Sequence, residues 1–254
     1  MKIAVAGGTG FVGKALVEEL LKNNHHVVIL TRKLLNQESN HRIQYVQWLG
    51  ENSQPLEQLQ ETDIFINLAG ESINSGRWTK ARKNNIVKSR LEAVDAMLTI
   101  MAKLKKKPEV FINASAIGIY GTSEYKTFTE VDLPNSNDFL SDTVKQWENE
   151  AGKAAEMDIR TVFCRFGIIL EKNEGALPKI AIPYKTFIGG NLGHGRQWMS
   201  WIHIDDVVKG IVFIIENAEI QGPVNFTSPQ PVTMEAFGQT LGSVMHRPHW
   251  LWSP

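Results

Sequence analysis

A glycine-rich turn between an apolar strand and an amphipathic helix begins the chain, and it constrains the fold more than any other feature. The run Lys2–Ala6 is short, apolar and contains β-branched residues, which is typical of a buried parallel strand. Apolar residues then recur at helical spacing over Phe11–Leu21. Gly7, Gly10 and Gly13 lie where the strand gives way to the helix. A strand that turns directly into a helix predicts an α/β fold.

Each glycine of this turn has a predicted role in binding a dinucleotide. Gly7 permits the sharp turn, Gly10 lets the backbone approach a pyrophosphate, and Gly13 lets the first helical turn pack on the strand. The free N–H groups and the positive end of the helix dipole point towards the phosphates. The alternative is a plain tight turn without a ligand. The strand, turn and helix context favours the bound dinucleotide.

The end of the second predicted strand, Val27–Thr31, indicates which dinucleotide is bound. A cofactor without a 2′-phosphate usually meets an Asp or Glu at this point, which accepts hydrogen bonds from the ribose. This chain has Arg32 and Lys33 instead. A guanidinium group binds a phosphate with a fork of donors, whereas a carboxylate would repel it. A solvated basic turn is the alternative, but the sequence favours NADP(H) over NAD(H).

Composition limits the function classes. The 254 residues are 43% hydrophobic with a formal net charge of zero, so charge gives no case for a nucleic-acid or membrane partner. The N-terminus has no signal-peptide pattern and no apolar run approaches a membrane span, so we expect a cytoplasmic protein. The single cysteine, Cys164, excludes an internal disulfide and is expected to be a buried, inert thiol. His194 and His203 do not have the partners of a metal site, and Asp205 with Asp206 suit a helix start.

The rest of the chain predicts further alternation of strands and helices, and then a change of character beyond residue 170. The predicted strands are Ile43–Trp48, Asp63–Leu68, Val110–Ala114, Arg160–Leu170 and Val224–Thr227. The predicted helices are Leu56–Gln60, Thr79–Lys105, Asp138–Met157, Ile204–Glu216 and Thr233–Met245, with Thr79 and Thr233 as caps. Dense glycines and aromatics over 175–178 and 189–206 indicate a loop that covers a pocket. We therefore expect a dinucleotide-binding domain over 1–170 and a substrate-covering region over 171–254.

Several residues after the predicted strands are expected to form the site. Small residues in Asn67–Gly70 would let a ligand lie against the backbone. Ser115 and Tyr120 follow the fifth strand, where hydroxyl groups would face the ligand, and Lys145 could contact the cofactor ribose. The expected pocket residues in the loop before the long helix are Glu71, Arg77 and Trp78.

Together these motifs resemble a known superfamily over essentially the whole chain. Gly7–Gly13, Asn67–Gly70, Ser115 to Gly121 and Trp201–Asp206 are similar to the extended short-chain dehydrogenases/reductases. More narrowly, the chain resembles the atypical, nucleotide-sugar-epimerase-like branch called the epimerase family. The motifs that carry this closer resemblance are Gly70-Glu71 with Arg77-Trp78, Gly175–Pro178 and Gly195–Asp206.

The resemblance implies a Rossmann-type, doubly wound parallel sheet that binds NADP(H), with a small C-terminal substrate-covering region. The implied cofactor contacts are Gly7, Thr9, Gly10, Phe11, Val12, Gly13, Thr31, Arg32, Leu68, Ala69, Gly70, Glu71, Arg90, Ser115, Lys145 and Ile169. The expected contacts of a small polar or sugar-like substrate are Arg77, Trp78, Tyr120, Arg196 and Trp201. Relatives often pair as homodimers through helices like Thr79–Lys105 and Asp138–Met157, and they run several dozen residues further, so we expect a short C-terminal end.

One departure from the superfamily bears on the chemistry. Active members typically carry Tyr-x-x-x-Lys, but the residue four positions before Lys145 is Ser141, and the usual catalytic hydroxyl position falls on Ala116. A serine is shorter and far less acidic than a tyrosine. Our first hypothesis is an NADP(H)-dependent oxidoreductase or epimerase in which Ser115, Tyr120 and Lys145 are catalytic. The alternative is a non-catalytic NADP(H)-binding sensor or interaction scaffold.

Overall fold

Short apolar segments and amphipathic helices alternate along the chain, and the computed structural model shows how they pack. It describes residues 1–34, 41–50, 53–73, 76–133, 136 and 138–253. The strands of the main sheet are β1 (Lys2–Ala6), β2 (His26–Thr31), β3 (Ile43–Gln47), β4 (Ile64–Asn67), β5 (Val110–Ala116), β6 (Arg160–Phe166) and β11 (Gly222–Phe226). The helices are α1 (Phe11–Lys22), α2 (Lys80–Lys103), α3 (Phe139–Gly152), α4 (Leu177–Ile180), α5 (Ile182–Lys185), α6 (Ile204–Glu216) and α7 (Met234–Met245). The remaining short strands are β7 (Ile168–Leu170), β8 (Gly190–Leu192), β9 (Trp198–Met199), β10 (Trp201–His203), β12 (Val232–Thr233) and β13 (Leu251–Ser253).

The main sheet confirms the predicted doubly wound, Rossmann-type fold. Among the described residues its strand order is β3-β2-β1-β4-β5-β6-β11, and all neighbours are parallel. The chain leaves β1 towards β2 on one side and returns to β4 on the other. This reversal opens a crevice at the carboxyl ends of β1 and β4, which is where ligands bind in sheets of this type.

Successive residues of β1 point to opposite faces of the sheet and divide the core into two layers. Ile3 and Val5 pack with α1 and α6, whereas Ala4 and Ala6 pack with α2 and α3. These four residues are fully buried, and the central strands are apolar on both faces because helices cover both sides. The layers therefore hold the carboxyl ends of β1, β4 and β5 in fixed positions.

Three predicted elements differ in the structure. Leu56–Gln60 forms turns rather than a helix, with the Leu59 N–H bonded to the Pro55 carbonyl at 3.1 Å. The predicted helix Asp138–Met157 is α-helical only to Gly152 and continues as a 3-10 turn over Lys153–Met157. Strand β5 extends to Ala116, so Ser115 lies within the strand and not after it.

The predicted strand Arg160–Leu170 is two strands in different sheets. β6 pairs with β5 and β11, whereas β7 pairs with β10. They separate at Gly167, where a Cβ atom would lie 2.6 Å from the carbonyl oxygen of Ser200. This close backbone approach directs the chain out of the main sheet, and apolar content alone does not reveal it.

The segment beyond residue 170 both covers the sheet and completes it. β11 adds the seventh strand to the main sheet, while β8 pairs with β13 and β9 with β12 in two small sheets. The predicted loop over 189–206 therefore contains the short strands β8, β9 and β10. The predicted domain division stays a prediction, although the two parts share one sheet.

Several local predictions are confirmed. The Thr79 and Thr233 hydroxyls accept the N–H groups of Arg82 and Ala236 and cap α2 and α7. Cys164 is fully buried, and burial raises the pKa of its thiol. Asp205 and Asp206 lie in the first turn of α6. No described helix has both the length and the apolar content needed to span a membrane.

The packing at Gly13 gives a stability prediction. A Cβ at this position would lie 2.1 Å from the Gly7 carbonyl oxygen. We expect Gly13→Ala to lower the free energy of unfolding by about 1–3 kcal/mol, because backbone atoms must shift. Gly152→Ala is the matched control, since its backbone is helical and its nearest contact would be 3.8 Å. Denaturant unfolding measures both, and equal destabilisation of the two variants would contradict the prediction.

Candidate functional site

The glycine-rich turn after β1 is in close backbone contact with the residues that follow β4. Gly7 has a positive φ of 76°, and a Cβ there would lie 2.7 Å from the carbonyl carbon and oxygen of Leu68. Gly10 is the N-cap of α1 and provides no side-chain acceptor for the first N–H groups of the helix. The first turn of α1 therefore presents N–H groups at the crevice, where a phosphate can accept their hydrogen bonds.

A segment from beyond residue 170 closes over this turn. A Cβ at Gly175 would lie 3.0 Å from the ring of Phe11, so the backbone there packs on the first residue of α1. The Lys14 and Glu174 side chains form an ion pair at 3.3 Å between the same two segments. The crevice is thus bounded by the N-terminal turn on one side and the covering region on the other.

Arg32 follows β2 at the carboxyl edge of the sheet. Its side chain is exposed, and the Gln47 amide donates to its carbonyl oxygen at 3.4 Å. The Thr31 hydroxyl donates to the Lys33 carbonyl at 2.9 Å and shapes the turn. This strand end therefore carries an exposed guanidinium in place of the carboxylate that NAD(H) binding usually requires.

Two buried amides support the backbone after β4. Asn67 and Asn113 bond to each other across β4 and β5 at 2.7 Å, and the Asn67 side-chain oxygen accepts the Ala69 N–H at 3.1 Å. Both asparagines are fully buried. They fix the course of Leu68 and Ala69, which the turn at Gly7 contacts.

The next residue pair, Gly70 and Glu71, is held by helix α2. The Ser89 hydroxyl accepts the Glu71 N–H at 3.0 Å, and Arg90 donates to the Glu71 carbonyl at 3.1 Å. The Glu71 carboxylate pairs with Arg82 at 2.5 Å. The structure therefore brings two predicted cofactor residues, Glu71 and Arg90, into direct contact.

Arg90 is an unusual cation because most of its side chain is inside the protein. Its guanidinium carbon lies 5.0 Å from the Trp147 ring centre, and a Cβ at Gly70 would be 3.2 Å from it. Burial lowers the pKa of Arg90 to about 10, and the nearby charge of Glu71 opposes that effect. An anionic ligand at the end of β4 would stabilise this desolvated charge.

The predicted substrate residues lie in several segments. Arg77 and Arg196 are exposed, and Trp78, also exposed, packs edge to face with Phe139 at 5.6 Å between ring centres. Trp201 in β10 pairs with Ile168 in β7, next to the predicted cofactor residue Ile169. Among the described residues, the buried Trp201 indole N–H has no hydrogen-bond acceptor.

Ser115 and Tyr120 meet in a buried polar network that the sequence did not predict. Glu148 of α3 and Arg165 of β6 form a bidentate ion pair, with N to O distances of 2.9 and 2.8 Å. The Ser115 hydroxyl donates to Glu148 at 2.5 Å, and Arg165 donates to the Tyr120 hydroxyl at 2.7 Å. The pair is almost fully buried, since the Arg165 side chain is 7% exposed and the Glu148 side chain 10%.

The network continues to the last strand of the main sheet. The Tyr120 hydroxyl donates to the Asn225 side chain at 2.8 Å, and Glu130 accepts the Asn225 N–H at 2.8 Å. Burial alone would lower the pKa of Arg165, but its bonds to Glu148 and Tyr120 outweigh burial and raise it. Arg165 therefore stays charged and paired.

Ser141 and Lys145, which are four positions apart in α3, both point towards one carbonyl group. The Ser141 hydroxyl lies 3.2 Å from the Ser136 carbonyl oxygen and 3.0 Å from that of Ile119. The Lys145 ammonium also donates to the Ser136 carbonyl, and it lies 3.4 Å from Asp142. Ser141 is completely buried, whereas the Lys145 side chain is 27% exposed.

Sequence reasoning missed Glu148, Arg165 and Asn225 as members of this network. One signal was available, because Arg165 stands in an otherwise apolar buried strand and a buried charge requires a partner. Nothing in the spacing identifies Glu148 as that partner. Groups of three or more metal-ligating side chains do not occur in the described part of the chain.

Comparison with known proteins identifies the family. The model of the NAD dependent epimerase/dehydratase family matches residues 3–142 and 181–226. The chain is 48% identical over 251 residues to epimerase family protein YfhF of Bacillus subtilis, with 99% of this chain and 82% of that protein covered. It belongs to the NAD-dependent epimerase/dehydratase family.

Relatives in this epimerase/dehydratase family and solved structures agree with that assignment. Epimerase family protein SERP0438 of Staphylococcus epidermidis is 42% identical, with 98% of this chain and 82% of that protein covered. The human epimerase family protein SDR39U1, crystallised with NADPH, has a TM-score of 0.84 and 27% identity, covering 99% of this chain and 82% of the human chain. UDP-glucuronic acid 4-epimerase of Bacillus cereus, solved with UDP-glucuronic acid and NAD, shares the fold at a TM-score of 0.83 and 21% identity, covering 98% and 84%.

The buried ion pair of this epimerase-family chain gives a second stability prediction. Glu148→Ala leaves the Arg165 guanidinium buried without its counterion. We expect a loss of about 3–5 kcal/mol in the free energy of unfolding. Glu150→Ala is the control on the same helix, because its partner Lys153 is exposed, and it should change stability little. Chemical denaturation distinguishes them, and a small effect of Glu148→Ala would show that the pair contributes little.

Proposed function

We propose that this protein binds NADP(H) and uses it as an oxidoreductase or epimerase on a small polar or sugar-like substrate. One observation carries the proposal. The uncapped first turn of α1 opens at the crevice where Gly7 packs on the backbone after β4. A Cβ at Gly7 or Gly13 would collide with backbone atoms, so this surface requires glycine and leaves room for a pyrophosphate.

The proposed cofactor contacts follow this crevice. The N–H groups from Thr9 to Gly13 would donate to the pyrophosphate, and Thr31 with Arg32 would hold the 2′-phosphate. The backbone of Leu68, Ala69 and Gly70 and the side chains of Glu71 and Arg90 would contact the middle of the dinucleotide. Ile169, Ser115 and Lys145 would contact its nicotinamide end. A human relative solved with NADPH supports this cofactor choice.

The proposed substrate site is rimmed by exposed side chains of the covering region and the loop before α2. Arg77, Trp78 and Arg196 are solvent-accessible, and the Trp201 indole N–H has no acceptor among the described residues. Guanidinium and indole groups suit a polar, oxygen-rich compound. Solved relatives include a nucleoside-diphosphate sugar epimerase, which supports a sugar-like substrate.

The catalytic roles of Ser115 and Tyr120 stay predictions. Both hydroxyls already donate to buried acceptors, Glu148 and Asn225 respectively. We propose that they act chiefly by holding the end of β5 and the turn after it in place. A non-catalytic sensor is the second candidate, because the hydroxyl at the usual tyrosine position is sealed inside the protein.

The remaining partner predictions rest on the family. A homodimer would pair through α2 and α3, where a groove of about 750 Å³ is lined by Val87, Leu91 and Phe139 among other residues. A small molecule is the proposed ligand, with no nucleic-acid or membrane partner. A cytoplasmic location stays a prediction.

Calorimetry tests the cofactor proposal. We expect NADPH to bind more tightly than NADH, and Arg32→Ala to weaken NADPH binding about tenfold or more through loss of a charge-assisted contact. NADH affinity should change little. Lys22→Ala, which removes a cation from the far end of α1, serves as the control. Tighter binding of NADH by the unaltered protein would contradict the assignment of Arg32.

A turnover assay tests the reaction. We expect NADPH absorbance at its reduced-nicotinamide band to fall with at least one compound from a panel of carbonyl compounds and nucleotide sugars. Epimerisation without net loss of NADPH is followed by separating the products. Tight NADPH binding with no reaction of any compound would favour the sensor over the enzyme.

A further inference from the structure

The hydroxyl groups of Ser115, Tyr120 and Ser141, near the carboxyl end of β5, are all bonded to interior acceptors. Ser115, Tyr120 and Ser141 are at most 4% exposed. The Ser115 proton goes to Glu148 and the Tyr120 proton to Asn225. Giving either proton to a substrate would leave a buried acceptor without its donor, which is unfavourable.

The Ser141 side chain is fully buried by the residues around it. Its hydroxyl lies within hydrogen-bond distance of the carbonyl groups of Ile119 and Ser136, on either side of the turn at Gly121. A Cβ at Gly121 would be 2.7 Å from the Ser136 Cβ, so this contact is tight. The Ser141 side chain has no solvent-exposed surface.

Lys145 lies one helical turn after Ser141 on the same face of α3. Its ammonium contacts the carbonyl group of Ser136, and Ser136 packs against Gly121 at the end of the turn that follows β5. Asp142 lies 3.4 Å from it on the outer side. At 27% exposure, its side chain is more accessible than the hydroxyl-bearing side chains of Ser115, Tyr120 and Ser141. An ammonium has three protons, so it can give one to a ligand and keep a contact with the protein.

We propose that Lys145 itself donates the proton to the substrate oxygen, in the place of the missing tyrosine. This inference rests on the proposed NADP(H)-dependent reduction. When bound, NADPH would supply the hydride to the carbonyl carbon and would be oxidised to NADP⁺. The carbonyl oxygen receives the displaced electron pair and takes a proton from the Lys145 Nζ. The resulting neutral amine regains a proton from water at its exposed side. In the oxidation direction the neutral amine takes the hydroxyl proton.

The first test compares two cations at this position. Lys145→Arg keeps a positive charge for the cofactor, but a guanidinium does not release its proton near neutral pH. We expect NADPH affinity within about threefold of the unaltered protein and a loss of about a hundredfold or more in kcat, the usual scale of general acid catalysis. Lys153→Arg is the matched control, because Lys153 pairs with Glu150 at the surface after α3. Thermal unfolding of both variants checks the fold.

If Lys145→Arg retains kcat and Tyr120→Phe loses most of it, the inference is overturned. Tyr120 would then be the proton donor, and the proposed function would be unaffected. Absence of turnover in the unaltered protein would instead overturn both. A pH profile adds a separate criterion. In the unaltered protein, kcat should fall as rising pH removes the proton from the donor. The residual activity of Lys145→Arg should not show this fall.

The second test needs no turnover and uses the unaltered protein. An amine-reactive acetylating reagent is applied with and without NADPH, and the labelled lysines are quantified by mass spectrometry. We expect NADPH to reduce the labelling of Lys145 several-fold and to leave Lys153 unchanged. Equal labelling of Lys145 in both conditions would show that its ammonium does not face the cofactor and would overturn the inference.

Discussion

The bidentate pair of Glu148 and Arg165 is the interaction on which the arrangement of the candidate site depends. It joins α3 to β6 in the interior, and its outer bonds reach Ser115 in β5 and Tyr120 in the turn that follows. Through Tyr120 the connection extends to Asn225 in β11. An ion pair so buried gains from fixed geometry only when hydrogen bonds also satisfy its outer atoms, as those to Ser115 and Tyr120 do. These bonds therefore fix α3, β5, β6 and β11 in position relative to one another, at the edge where a nicotinamide is proposed to lie.

The dinucleotide crevice depends on a different constraint, the close approach of backbones. Gly7 and Gly13 leave no space for a Cβ, and two buried asparagines hold the facing end of β4. These contacts do not require a charged residue near the proposed pyrophosphate. Charged side chains lie beside this backbone surface, with Arg32 after β2 and the contacting pair Glu71 and Arg90 after β4.

Much of the fold could be predicted because hydrophobic spacing and turn chemistry are local. The limits of β1 and the caps Thr79 and Thr233 follow from neighbouring residues, and the structure confirms them. The division of Arg160–Leu170 at Gly167 could not be predicted, since it results from contact with Ser200, which is distant in the sequence. The partnership of Glu148 with Arg165 escaped prediction for the same reason. Its two residues come from different elements, and only the fold determines which buried charges meet.

Ser141, four positions before Lys145 in α3, is held by the packing around it. Its side chain is fully buried, and its hydroxyl lies within hydrogen-bond distance of the backbone carbonyl groups of Ile119 and Ser136. A phenol would have to displace Ser136, which also accepts the Lys145 ammonium. A tyrosine at position 141 would therefore require a change around Ser136 as well, and it would remove a contact of the Lys145 ammonium as it introduced the phenol.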